Sequence, residues 1–188
     1  MIFSNKFNMC PECGSSEIKY LKGRKWYCPS CGFDLYNNVA AAVGLVIADR
    51  SGMVLFEKRA KEPRKGFLAY PGGFVDPDES AEAAVVRECR EETGLIPRQI
   101  TYLASYPNKY VYKDIVYNTC DLFFTADLPE NISDIPELIT KLHAQQTEVQ
   151  CFMAIPVRSA SDLECIPFAF ESARLALKKW LSNNREDK

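Results

Sequence analysis

The stretch 39–48 is apolar, rich in β-branched residues and free of charge, the pattern of a strand buried on both faces. The polar, turn-forming stretch 49–52 then predicts a hairpin turn into a second strand, Met53–Arg59, and 67–70 predicts a short strand running into Pro71, Gly72 and Gly73. Further strands are predicted at 100–106, at 115–125, where the alternation is weak, and at 149–155. Two helices are predicted. One follows Ser80; the other covers 167–181, where Phe170, Ala173, Leu177 and Trp180 or Leu181 fall on one face. The acidic-apolar stretch 132–142 shows no decisive period, and the polar stretch 183–188 reads as a solvated tail. Upstream, 17–20 and Lys25–Tyr27 predict two short strands. Patterning alone gives an α+β chain with one core.

The chemistry concentrates in 73–95. Gly73 is followed after five residues by Glu79, and after seven more by Arg87-Glu88-Cys89-Arg90-Glu91-Glu92-Thr93-Gly94. With each fixed position at about one in twenty, chance would give this spacing on the order of once in a billion starting points. Ser80 fits the N-cap, Glu82 the first turn and Gly94 the C-terminal stop of a helix. At about 100° per residue, Val85, Val86, Cys89 and Thr93 share a face that can pack on a sheet. Glu88, Glu91 and Glu92 stand on the neighbouring face, with Cβ atoms about 5–6 Å apart. Three like charges so close need compensation, and Arg87, four residues before Glu91, cannot neutralise them all. A hard divalent cation can: carboxylate oxygens that leave positions for water and phosphate suit Mg²⁺ or Mn²⁺. The alternative is a solvated acidic face, which leaves the Gly-Gly turn, Glu79 and Arg87 without a reason.

These residues resemble the Nudix box, the metal-binding loop and helix of hydrolases that cleave nucleoside diphosphates linked to another group. Every fixed position matches, and Cys89 stands where the family usually has an aliphatic residue. The resemblance implies an α/β/α sandwich with a mixed sheet. It also implies cations held by Glu88, Glu91 and Glu92 with the Gly72 carbonyl as a further ligand, a metal-activated water, and an Arg87 that orients a glutamate. Nudix proteins often keep one more acidic residue near a later strand, and Glu148, just ahead of 149–155, takes that place as metal ligand or base. An exposed strand-edge glutamate is the alternative reading of Glu148.

Cysteine usage adds a second metal. Cys10-Pro11-Glu12-Cys13-Gly14 and Cys28-Pro29-Ser30-Cys31-Gly32 are near-identical knuckles separated by 14 residues. Four thiolates with no spare position make a closed, structural Zn²⁺ site. The pattern resembles a zinc ribbon over 1–36, followed without a flexible linker by a Nudix domain over 37–188. Disulfides are the alternative, unusual in a reducing compartment. Cys89, Cys120, Cys151 and Cys165 are isolated and read as small core residues.

The chain has 188 residues, 47% of them hydrophobic, and a net charge of −2, so no bulk attraction to nucleic acid or membrane is expected. No apolar run is long enough to span a bilayer, and residues 1–10 lack a signal-peptide pattern, so the expected location is cytoplasmic. A ribbon ahead of a Nudix box resembles the NADH diphosphatase branch of the family. That branch carries Ser-Gln-Pro-Trp after the box; here Ser105 and Pro107 match, while Tyr106 and Asn108 replace Gln and Trp. Phe74 matches a position that offers a ring to a base, a stacking contact of about 1–3 kcal/mol; covering the core is the alternative. His143, the only histidine, reads as a surface residue. The expected activity is metal-dependent hydrolysis of the diphosphate bond in NADH, ADP-ribose or a similar derivative. The competing reading is a nucleotide-sensing module whose ribbon touches nucleic acid through Lys19, Lys22, Arg24 and Lys25 near Trp26 and Tyr27. Three metal-holding carboxylates favour the enzyme. The expected partner is a nucleotide substrate, with neither nucleic acid nor membrane, and a homodimer is left open.

Overall fold

The computed structural model describes residues 7–186; residues 1–6 and 187–188, the latter part of the expected tail, lie outside the described residues. Three short antiparallel strands come first, β1 (Lys19–Leu21), β2 (Lys25–Tyr27) and β3 (Asp34–Tyr36), in the order β1-β2-β3. Trp26 is their buried centre, with the rings of Phe7 and Tyr20 each at 4.8 Å. So small a core needs a staple, and the paired knuckles flank it.

The remaining elements are β4 (Ala40–Ile47), β5 (Met53–Arg59), β6 (Leu68–Ala69), α1 (Ala81–Thr93), β7 (Arg98–Tyr112), β8 (Ile115–Asp127), α2 (Ile135–Ile139), β9 (Val149–Pro156) and α3 (Glu171–Glu186). A mixed sheet runs β4-β8-β7, with β4 parallel to β8 and β8 antiparallel to β7, while β6-β5-β9 is antiparallel. Alternation along the strands divides the core in two. Val43, Leu45 and Ile47 of β4, Leu55 of β5 and Phe124 of β8 meet Ala84, Val85 and Cys89 of α1 and Ile135 and Leu138 of α2. The opposite face puts Val46, Val54, Phe56 and Phe123 against Ala173, Ala176 and Leu177 of α3. Helices thus cover both faces of a β layer, the α/β/α arrangement. Each fully buried side chain such as Phe56 or Leu45 contributes about 1.5–3 kcal/mol.

Several expectations are corrected. The turn at 49–52 reverses the chain as expected, with Asp49 N–H to Met53 O at 2.9 Å and an antiparallel bridge of Ala48 with Val54, but β4 and β5 pair no further and enter different sheets. Asp49 accounts for the turn, since its Oδ1 accepts from the Ser51 and Met53 amides and its Oδ2 from the Ile135 amide. The C-terminal helix starts at Glu171 rather than 167, because Pro167 and Ala169 exchange backbone hydrogen bonds with Leu68. It runs on to Glu186, through most of the expected tail. Cys89 is buried, but Cys120 is half-buried and Cys151 and Cys165 are exposed, so only the first is a core residue. Strand β7 extends to Tyr112, past Pro107. As an edge strand paired only with β8, it tolerates a residue without an N–H. The unassigned stretch 132–142 contains the five-residue α2, capped by Asp134, and His143 is exposed.

Candidate active site

Helix α1 forms as its sequence indicates. The Ser80 side chain accepts from the Ala83 amide, and Gly94 ends the helix in the left-handed conformation. The entry loop 71–75 runs along the free edge of β4, with Val43 N–H to Gly73 O at 2.8 Å and Leu45 N–H to Pro71 O at 2.9 Å. Only glycine fits this approach. A Cβ on Gly72, whose φ is +152°, would stand 2.1 Å from the Val43 carbonyl oxygen, and one on Gly73 would stand 2.5 Å from Glu88 Oε1. The glycine pair is therefore a saddle, with the carboxylates of α1 on one side and the α3 side of the sheet on the other.

Arg87 is fully occupied within the protein. Its Nε and Nη2 grip Glu79 at 2.9 and 2.8 Å, Nη1 donates to Glu88 at 2.8 Å, and Nη2 reaches the Phe74 carbonyl at 3.1 Å. Glu91 is a looser partner at 3.4 Å and is exposed. The Arg87 fork lowers Glu79 from the ordinary carboxylate value. Glu88 is pushed the other way, chiefly by burial and against the pull of Arg87.

Glu92 is only 6% exposed and accepts the Gly72 amide at 2.7 Å. Burial raises it first of all; the Gly72 hydrogen bond opposes this, and the charges of Glu88 and Glu148 add to it. Beside it lies a carboxylate that sequence reasoning missed. Glu57 of β5 is 3% exposed, its Oε1 has no hydrogen-bond partner among the described residues, and burial followed by the charge of Glu92 drives it far upward. Its signal was a charge in inward register with Leu55, directly after the apolar run 53–56 and ahead of Lys58 and Arg59. Two buried carboxylates, one with an orphaned oxygen, fit a hard cation well, since an all-oxygen donor set matches Mg²⁺ or Mn²⁺.

Glu148 is brought to the same place by the loop that follows α2. The His143 amide donates to Thr93 O at 2.8 Å, the Gln145 amide to Glu92 O at 3.2 Å, and Ala60 N–H to Glu148 O at 2.7 Å. Its carboxylate pairs with Lys61. Glu88, Glu91, Glu92, Glu148 and Lys61 line one end of a cavity of about 330 Å³, Gly72, Gly73 and Phe74 form its saddle, and the Arg59 guanidinium, 5.5 Å from the Phe170 ring centre, lies between the two ends. The far end holds Asn108, Tyr110, Thr119, Asp121, Phe170 and Ser172. Ser105 and Pro107 do not line the cavity. They are exposed on the other face of β7 from Tyr106, Asn108 and Tyr110, so period-two alternation turns the matching pair away and the departures toward the site.

The four knuckle sulfurs lie within 4.8 Å of one another, with Cys10–Cys31 and Cys13–Cys28 at 3.7 Å. Tetrahedral bonds of about 2.3 Å would put sulfurs about 3.8 Å apart, so the cluster fits Zn²⁺. Burial alone would raise the Cys28 thiol, but the Cys31 and Ser30 amides bring it down to about 6, while Cys31, against the Phe33 amide, is pushed up to about 12 by burial and the neighbouring sulfurs. In the ribbon's basic-aromatic patch, Lys25 is paired with Asp34 and lies 5.3 Å from the Tyr36 ring centre, and Trp26 is buried.

A fold of this kind, with a glycine saddle, an arginine-bound glutamate and a carboxylate-lined cavity, defines a class that the comparisons identify. The NUDIX domain model matches residues 39–153, and the chain belongs to that family. It is similar to the ADP-ribose pyrophosphatase of Methanocaldococcus jannaschii, 46% identical over 74 residues that cover 39% of this chain and 43% of the relative. It is also similar to the NAD-capped RNA hydrolase NudC of Deinococcus radiodurans, 29% identical over 148 residues, 72% of this chain and 53% of the relative. The chain thus spans about half the length of these relatives or less. The NUDIX hydrolase structure from Nitrosomonas europaea shares the fold, with a TM-score of 0.59 at 20% identity over 95% of this chain and 92% of that one. No helix among the described residues is long and apolar enough to cross a membrane.

Proposed function

We propose that this chain hydrolyses the diphosphate bond of a nucleoside diphosphate derivative such as ADP-ribose or NADH. The observation that carries the reading is the set of carboxylates Glu88, Glu91, Glu92 and Glu148 that line one cavity with the glycine pair, Arg59 and Lys61, with the buried Glu57 beside Glu92. Glu88, Glu91 and Glu92 would hold Mg²⁺ or Mn²⁺, with Glu148 and the Gly72 carbonyl as further ligands. The cation, when bound, polarises a phosphoryl oxygen and makes a water nucleophilic near neutral pH. The protein's own part is positional. Gly72 and Gly73 let the diphosphate lie against backbone, Arg59 and Lys61 offset its charge, and Arg87 fixes Glu88 and Glu79 without reaching substrate. Glu148, if displaced from Lys61 by a phosphate, is free to take the water's proton.

The two relatives carry names that contain ADP-ribose and NAD, molecules that share an adenosine diphosphate unit. With Ser105 and Pro107 turned away, no residue argument ranks a dinucleotide above ADP-ribose. We further propose that 1–36 is a Zn²⁺ ribbon serving as a scaffold and 37–188 the catalytic domain. Paired Lys25 and buried Trp26 support that role over nucleic-acid contact.

The test is a screen of nucleoside diphosphate derivatives with Mg²⁺ or Mn²⁺, read by a phosphate-coupled assay after phosphatase treatment. Cleavage of ADP-ribose or NADH to two monophosphates is expected; no cleavage of any diphosphate would return the chain to the sensor reading. Elemental analysis should find one zinc per chain, and a value near zero would remove the ribbon assignment.

A further inference from the structure

The far end of the cavity is built for a flat ring with a particular edge. On the α3 side, β4 presents Ala42 and Gly44 where Val46 fills the core further along, so small residues open the space. Phe74, Tyr110 and Phe170 wall it, with ring centres 5.2 Å apart for the first pair and 5.6 Å for the second. Its floor is Asp121, a carboxylate only 8% exposed that plays no part in the metal end.

Asp121 Oδ1 accepts from Thr119 Oγ1 and Oδ2 from Ser172 Oγ, both at 2.6 Å. Both hydroxyl protons are spent on the carboxylate. Thr119 and Ser172 therefore present only lone pairs to the cavity, and the carboxylate keeps unfilled acceptor positions of its own. The floor is an all-acceptor surface. Beside it, Asn108 Oδ1 accepts the Lys109 amide, which leaves the Asn108 NH₂ as a donor. A donor group flanked by a ring nitrogen completes this pattern. A carbonyl flanked by a ring N–H would set acceptor against acceptor and leave buried groups unpaired.

We infer that this compartment is the nucleobase subsite and that Asp121 is its specificity residue, accepting a hydrogen bond from the exocyclic amino group of a base such as adenine. The inference deepens the diphosphatase reading and rests on it for the nucleotide class. The amino edge should be worth about tenfold or more in affinity over the carbonyl edge, because a site made to pair a polar group rejects the analogue that leaves its partners unmet.

Calorimetric titration of the zinc-loaded full chain with adenosine and inosine monophosphates tests this without turnover. The adenosine nucleotide should bind about tenfold tighter or better. Asp121→Asn, nearly isosteric and able to donate, should erase or reverse the ratio. Equal affinities in the natural chain, binding of neither nucleotide, or an unchanged ratio in the variant would overturn the inference. Should Asp121→Asn fail to fold, the natural chain's ratio decides alone, with purine riboside monophosphate, which has neither edge group, expected between the two. Discrimination without cleavage of any diphosphate would leave the subsite standing and remove the catalytic reading.

Discussion

The two ends of the cavity are encoded in opposite ways. The carboxylate end is written almost entirely in one stretch, where helix geometry converts fixed spacings into a common face. The base end is assembled from Ala42, Phe74, Asn108, Tyr110, Thr119, Asp121, Phe170 and Ser172, on five separate pieces of chain. One can be read from local periodicity; the other exists only once β4, β8, β7 and α3 are placed. The ends also differ in chemistry. The first gathers charge that is costly until compensated, and the second sets aromatic rings around hydroxyls and a carboxylate that bond one another and keep further acceptor positions open.

That contrast gives the two ends different sensitivities. Gly73→Ala should act on the metal end most strongly. The new Cβ meets the flexible end of Glu88 at 2.5 Å, so the fold should survive while the carboxylate moves. A displacement of that order is expected to lower kcat about a hundredfold, measured by steady-state kinetics with an unshifted melting curve. Phe74→Ala should act on the base end instead, raising KM by about ten- to a hundredfold, as loss of a stacked base does, with kcat little changed. A kcat effect as large as that of Gly73→Ala would mean that the saddle, not the base, is what Phe74 supports.

The smallest effect is on stability. In chelator, Glu57 and Glu92 have folded-state values above their unfolded ones, so the folded form holds the protons more tightly. Their stabilising contribution is full below the ordinary value of 4.5 and is lost as pH rises, for Glu92 through about 8. Thermal melts should therefore drop by a few degrees over that range, at about 2–4 °C per kcal/mol, and saturating Mg²⁺ should flatten the decline. Glu57→Gln should raise the melting temperature in chelator above pH 7 and reduce the gain on adding Mg²⁺. A melting curve independent of pH and of the ion would show that these carboxylates are not compensated by a cation.

What the sequence made legible follows the same divide. Ser80, Gly94 and the apolar face of α1 were readable because each depends on neighbours within a few residues. So was the sulfur cluster, whose ligands come in adjacent pairs. The 49–52 turn was readable from its own residues, whereas the parting of β4 and β5 beyond it, and the bond from Asp49 to Ile135 far along the chain, leave no local pattern. Ser105 and Pro107 were chosen by motif position, and a one-residue register decides which face they take. Glu57 left only a weak trace, the one charge of the Glu57-Lys58-Arg59 run in register with the inward-facing Leu55. Asp121 left none, since an acidic residue in the middle of a half-exposed strand is ordinary until Ser172 closes over it.

The central claim is that Glu88, Glu91 and Glu92 hold a cation that carries diphosphate hydrolysis. The most direct measurement is kcat for Glu92→Gln with Mg²⁺ on the best substrate found, alongside its melting temperature. Loss of several kcal/mol of transition-state stabilisation should lower kcat roughly a thousandfold or more, while the fold, relieved of one buried charge, melts no lower than the natural chain in chelator. Retention of more than about a tenth of the natural activity would contradict the account.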